Sequence, residues 1–154
     1  MRRVLVTGMS GTGKSTVLAQ LAILGFDVVD TDEGEWTIWS DDDDGYVWRE
    51  ALIADLLARR RERTLYVSGT VSNQRRFYES FDAVVLLSAP ADVLLARIAE
   101  RTTNDYGKDP HERELILEHI ASVEPLLRAG CTHELDATEP VARIVERLIE
   151  IGGN

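Results

Sequence analysis

Residues Gly8-Met9-Ser10-Gly11-Thr12-Gly13-Lys14-Ser15 directly follow the apolar run Val4-Leu5-Val6 and fit G-x-x-x-x-G-K-[ST]. A chain with this octapeptide is constrained to run from a short buried strand through a tight glycine turn into a helix. Only that order converges several backbone N–H groups and a helix N-terminus on one anion. Gly8, Gly11 and Gly13 carry no Cβ to hold phosphate oxygens away from the backbone. Lys14 is long enough to reach the outer phosphates, and the Ser15 hydroxyl suits the shell of Mg²⁺. Ser10, Thr12 and Thr16 belong to the same phosphate-facing stretch, so the expected ligand is a nucleoside triphosphate, ATP, with Mg²⁺.

The pattern along the rest of the chain extends this beginning into a layered fold. Short apolar runs at 4–7, 26–29, 65–67, 83–87 and about 133–135 read as strands. Helical spacing falls between them at 15–24, about 46–61, 90–100, after residue 110 and from Val141 onward. In the second helix Trp48, Leu52, Ile53, Leu56 and Leu57 are expected on one face. Pro125 is expected to bend or restart the fourth. Alternating strands and helices predict a three-layer α/β/α domain spanning 1–154, with a five-stranded parallel sheet. Ligands then belong at the carboxyl ends of the strands, where Gly8, Asp30, Ser68 and Asp136 fall.

Composition narrows the partners. With 154 residues, 44% hydrophobic, the chain suits one core. A formal net charge of −10 argues against nonspecific binding to nucleic acid or to an anionic membrane surface. No segment approaches the length needed to cross a bilayer. The single Cys131 excludes an internal disulfide and fits a reducing cytoplasm. Asp41 to Asp44 read as a solvated loop rather than a cation site. His111, His119 and His133 are too dispersed for a recognisable metal set. The expected partner is a small phosphate acceptor, bound by a monomer or weak homodimer.

Over nearly its whole length the chain resembles the small P-loop kinases of the shikimate kinase and adenylate kinase type. Asp30-Thr31-Asp32 is similar to the Asp-x-Asp after the second strand of shikimate kinases. That resemblance implies that Asp30 supports the water shell of Mg²⁺ and that Asp32 contacts the acceptor hydroxyl and takes its proton. Aspartates at a strand end also serve as turn and helix caps. Arg97-Ile98-Ala99-Glu100-Arg101 resembles the Arg-x-x-x-Arg that opens the lid of adenylate kinase relatives, implying Arg97 against adenine and Arg101 at the transferring phosphate. A lid at about 101–111 would bring Lys108 to the phosphates, unless Lys108 is a surface lysine. Pro140 stands where relatives pack a proline on the adenine ring, and equally where a helix begins.

Neither named substrate follows from these residues. The segment after the third strand is Ser68-Gly69-Thr70-Val71-Ser72, without the Asp-Gly-Phe-Pro-Arg of adenylate kinases. It also lacks the glycine run of shikimate kinases, and Glu33-Gly34-Glu35 stands where an arginine would follow Asp-x-Asp. Gly69, Asn73, Gln74 and Arg75 are the candidates to face a polar or anionic acceptor at this rim. An insertion at about 31–62 is expected to cover the acceptor, with Trp36 and Trp39 as candidate pocket walls and Trp48 in the core. The leading expectation is an ATP-dependent kinase acting on a small metabolite hydroxyl, through Lys14, Asp32 and Arg101. A nucleoside or nucleoside monophosphate kinase is the second expectation, and an ATP-binding regulatory module or slow ATPase comes from another class.

Overall fold

The structure, a computed structural model, describes residues 2–101 and 105–153. Strand β1 (Arg3–Thr7) leads into helix α1 (Lys14–Ile23) and then β2 (Asp27–Asp30). A hairpin of β3 (Thr37–Ser40) and β4 (Gly45–Trp48) precedes α2 (Glu50–Ala58), and β5 (Leu65–Ser68) is followed by a 3₁₀ segment, Gln74–Ser80. The chain continues through β6 (Ala83–Ser88), α3 (Ala91–Glu100), α4 (Pro110–Gly130), β7 (His133–Asp136) and α5 (Val141–Ile151).

The main sheet has five parallel strands in the order β2-β5-β1-β6-β7. Its centre, β1, is apolar on both faces because both are covered. Val4 and Val6 join a core built with α1 and α5 through Val17, Leu21, Ile144 and Leu148. Leu5 points to the other side and packs with Trp48, Ile53 and Leu56. Leu86 continues that second layer toward Leu94 of α3 and Leu127 of α4. The expected three-layer α/β/α architecture is therefore present, and the P-loop emerges from the middle of the sheet.

Local differences from the sequence expectation have physical causes. The second strand lies one residue later than expected. Pro125 sits inside α4 without dividing it. The helix expected over 46–61 is shorter, because its first residues are β4 instead. Aromatic and β-branched residues at Tyr46, Val47 and Trp48 favour a pleated strand. Asp44 takes a left-handed turn conformation with φ 49°, and Ser40 Oγ donates to Asp43 Oδ2 over 2.8 Å, closing the acidic tip. Leu52, expected on the apolar face, is exposed.

An isolated two-stranded hairpin is marginal in water. This one is held by Asn73, whose Oδ1 accepts from Trp48 N at 2.9 Å while its Nδ2 donates to Trp48 O at 3.0 Å. Ser72 Oγ also donates to Asp43 Oδ1 at the tip, over 2.9 Å.

Gly69 leaves no room for a side chain. A Cβ there would overlap Thr31 Oγ1 and lie 3.2 Å from the Trp48 indole nitrogen. Gly69→Ala is expected to cost about 1–3 kcal/mol, lowering Tm by roughly 3–10 °C in a thermal melt.

Candidate active site

The P-loop takes its shape from glycine: Gly8, Gly11 and Gly13 have φ of 153°, 88° and 91°. At Gly8 a Cβ would come within 2.5 Å of Leu87 O, so the loop lies directly on β6. Thr12 is buried, and its Oγ1 donates to Met9 O at 2.9 Å, bracing the turn from within. Lys14 folds back over the loop, with Nζ donating to Gly8 O at 2.6 Å and Met9 O at 3.1 Å. Burial lowers its pKa to about 8, against the opposing pull of Asp32 and then Asp30.

Two cavities meet beside this loop. The larger, about 800 Å³, is lined by Ser10, Gly11, Thr12, Gly13, Lys14, Ser15 and Thr16, with Asp30, Asp32, Arg97 and Arg101 around the same space. The second, about 520 Å³, has Gly8, Thr70, Gln74 and Arg75 on one side and α4 on the other. Ser10, Lys14 and Asp32 line both.

Ser15 Oγ donates to Asp30 Oδ2 at 2.7 Å, placing a hydroxyl and a carboxylate together at the start of α1. Two hard oxygen donors fit Mg²⁺, which keeps several waters and binds nucleotide phosphates rather than an all-protein cage. Among the described residues no group of three or more His, Cys, Asp or Glu is gathered for a metal. Asp30 Oδ1 also accepts from Asp32 N at 3.1 Å, which fixes the turn between the two carboxylates. Desolvation at the cavity wall raises the Asp32 pKa, with Lys14 pulling it down and Asp30 adding to the rise.

Arg97 spans the larger cavity, donating to Gly11 O at 3.3 Å and Ala137 O at 2.6 Å. Arg101 donates to Tyr106 O at 2.7 Å at the entrance of the same space. The wall beyond Arg97 is Ala137, Glu139, Val141 and Ile144. Pro140 is exposed and caps α5 without lining the cavity, as its fixed φ of −55° suits. Lys108 Nζ lies 3.4 Å from Asp105 Oδ1 and likewise does not line it. Of the expected lid, residues 102–104 lie outside the described residues.

Several residues expected to meet the acceptor are engaged elsewhere. Asn73 is taken up by Trp48 and by Glu50 Oε2, at 3.2 Å, and Gly69 is buried without lining the second cavity. Gln74 lines that cavity but is only 2% exposed. Its amide donates to Thr7 Oγ1 and Tyr78 OH, and its Oε1 accepts from Val71 N. Neither Trp36 nor Trp39 lines it: Trp36 packs against the core of the α2 layer, and half-exposed Trp39 donates to Asp41 Oδ1 at 2.7 Å. Arg75 does line it, and its side chain makes no hydrogen bond or ion pair with the described residues. Tyr46, Tyr78, His119 and Val123 are among the wall residues that sequence reasoning did not assign. The only signal for two of them was the helical spacing of His119 and Val123.

A family model described as an AAA domain matches residues 4–118, a segment holding the P-loop, Asp30-Thr31-Asp32, Arg97 and Arg101. The chain belongs to this AAA domain family. Among curated relatives of the family member, shikimate kinase 2 of Yersinia enterocolitica is 28% identical over 163 residues, covering 96% of this chain and 94% of its own. Among solved structures, a shikimate kinase from Acinetobacter baumannii in complex with shikimate superposes with TM-score 0.70 at 20% identity, covering 98% of this chain and 92% of that one. A gluconokinase from Sinorhizobium meliloti 1021 gives TM-score 0.60 at 24% identity, covering 99% and 91%. Within its family the chain is a small P-loop kinase of the shikimate kinase type. No helix among the described residues is long and apolar enough to cross a membrane.

The depressed Lys14 pKa carries a pH prediction. Triphosphate favours the ammonium form, so bound Lys14 keeps its proton above the pH at which the free protein releases it. Binding of Mg-ATP should therefore take up protons above about pH 8 and not well below it, and affinity should fall by up to tenfold per pH unit there. Calorimetry in buffers of different ionisation enthalpy measures that uptake, and Lys14→Ala should abolish it. Equal uptake in wild type and variant would assign the proton to another group.

Proposed function

We propose that this ATP-dependent small-metabolite kinase transfers the γ-phosphate of Mg-ATP from the larger cavity to a hydroxyl held in the smaller one. The observation that carries this reading is the shared wall: Lys14 and Asp32 line both spaces, so one cation and one carboxylate stand where the two contents would meet. The nucleotide phosphates would lie over 8–15, with the base toward Arg97, Ala137 and Val141. Ser15 and Asp30 would hold Mg²⁺, which when bound neutralises phosphate charge. Asp32 would orient the acceptor hydroxyl and receive its proton, while Lys14 and Arg101 neutralise the moving phosphoryl group.

Charge in the smaller cavity bears on the acceptor. Apart from Lys14, Arg75 is the only Lys or Arg among the described residues lining it, and Arg76 turns to Glu50 Oε2 at 2.9 Å. Asp32 and Asp43 line the same space. Beyond Lys14, which the ATP phosphates engage, a dianionic nucleoside monophosphate would meet one guanidinium and two carboxylates. An uncharged or singly charged hydroxy compound fits better, a class that includes the shikimate and gluconate of the similar proteins' names. We place the reaction in the cytoplasm, carried out by a monomer or weak homodimer.

The test mixes protein, γ-labelled ATP and Mg²⁺ with shikimate, gluconate, nucleosides or nucleoside monophosphates, using Lys14→Ala as the blank. Label on a hydroxy acid or neutral alcohol supports this acceptor class. Transfer to nucleoside monophosphates would overturn it, and label appearing only as free phosphate would assign a slow ATPase or switch.

A further inference from the structure

Asp32 is exposed at the junction of the two cavities, and its N–H donates to Asp30 Oδ1 at 3.1 Å, a bond that closes the turn but does not tie it to the rest of the acceptor side. Thr31, between the two aspartates, is fully buried. Its N–H donates to Ser68 O at 3.0 Å, and its hydroxyl donates to the same carbonyl at 2.7 Å. That hydroxyl oxygen also accepts from the Trp48 indole Nε1 at 2.9 Å. Trp48, 1% exposed, is in turn gripped through its backbone N–H and C=O by the Asn73 side chain.

We infer that Thr31, Trp48 and Asn73 form a positioning frame that fixes the Asp30–Asp32 turn against the acceptor-side segment through one continuous set of hydrogen bonds. Each connection is directional and buried or half-buried, and losing the Thr31 hydroxyl leaves the buried Trp48 indole N–H without the partner it has here. Gly69 is part of the same device, since only a residue without Cβ lets Thr31 and Trp48 meet beside it. The frame explains why Asn73 and Gly69, at the acceptor rim by position, do not face the cavity. It also makes the hairpin a fixed wall whose geometry is transmitted to Asp32. None of the three side chains is placed to touch reactants, so their effect on turnover rests on the kinase reading and acts through Asp32.

Three variants test this: Thr31→Val keeps shape and removes the hydroxyl, Thr31→Ser restores the hydroxyl, and Trp48→Phe removes the indole N–H. The first readout is turnover of γ-labelled Mg-ATP with water as acceptor, which requires no identified substrate. Thr31→Val and Trp48→Phe are each expected to lower kcat about tenfold with the KM for ATP within twofold, and Thr31→Ser to keep at least half of the wild-type rate. A rate unchanged in Thr31→Val, or lowered equally in Thr31→Ser, would overturn the frame. The second readout is the Trp48 indole N–H resonance, which should shift in Thr31→Val and stay in place in Thr31→Ser. If wild type binds Mg-ATP without turning it over in water, the kinase reading is untouched, because a kinase site excludes water as acceptor. The indole resonance then decides the frame, and an unshifted signal in Thr31→Val removes it.

Discussion

Replacing Lys14 by alanine is expected to lower kcat by about 10³-fold or more, while Tm stays unchanged or rises. Among the described residues Lys14 is the one Lys or Arg lining both cavities, the guanidiniums each lining only one, so no neighbour replaces it at the junction. Loss of a preorganised charge at a developing anion typically costs about 10²–10³-fold. Here the same amine also straps the loop through Gly8 O and Met9 O. Stability should move the other way, since burial lowers the amine pKa to about 8 and a neutral methyl carries no such desolvation penalty. Phosphate release under saturating Mg-ATP, measured beside a thermal melt, separates the two effects. A proportionate fall in activity and Tm would make Lys14 a structural residue.

What was legible in the sequence was the part written in local spacing. The P-loop octapeptide names its own strand, turn and helix, and the apolar periods of α1, α3 and α5 mark faces that do pack on the sheet. The hairpin was not legible, because Trp48, Leu52, Ile53 and Leu56 imitate a helical period across the β4–α2 junction. What decides β4 is Asn73, 25 positions away, whose amide pairs with Trp48 as a neighbouring strand would. The same distance effect reassigns the acceptor rim. Asn73, Gln74 and Arg75 are similar donors in sequence, yet folding engages the first two and leaves Arg75. The α4 wall shows the converse, since its apolar spacing was visible and the cavity it faces was not.

Asp32→Asn is the second large effect expected, and it isolates charge from shape. The amide occupies nearly the same volume and leaves the Asp30–Asp32 turn intact, because that turn uses the Asp32 backbone N–H. It has no basic lone pair comparable to a carboxylate, so transfer to an acceptor hydroxyl should slow by about 10²–10⁴-fold. Mg-ATP affinity should change less than threefold, since Ser15 and Asp30 remain paired at the metal position. The wild-type profile carries an internal check. Partial desolvation at the cavity wall raises the Asp32 pKa, so the reactive carboxylate is lost as pH falls through a midpoint above the ordinary aspartate range. That acid limb in kcat should be present in wild type and absent in Asp32→Asn. Steady-state rates from about pH 4.5 to 8, with folding checked at each pH, decide the matter. Retention of the limb in the variant would assign the titration to another carboxylate and leave Asp32 only the task of orienting the hydroxyl.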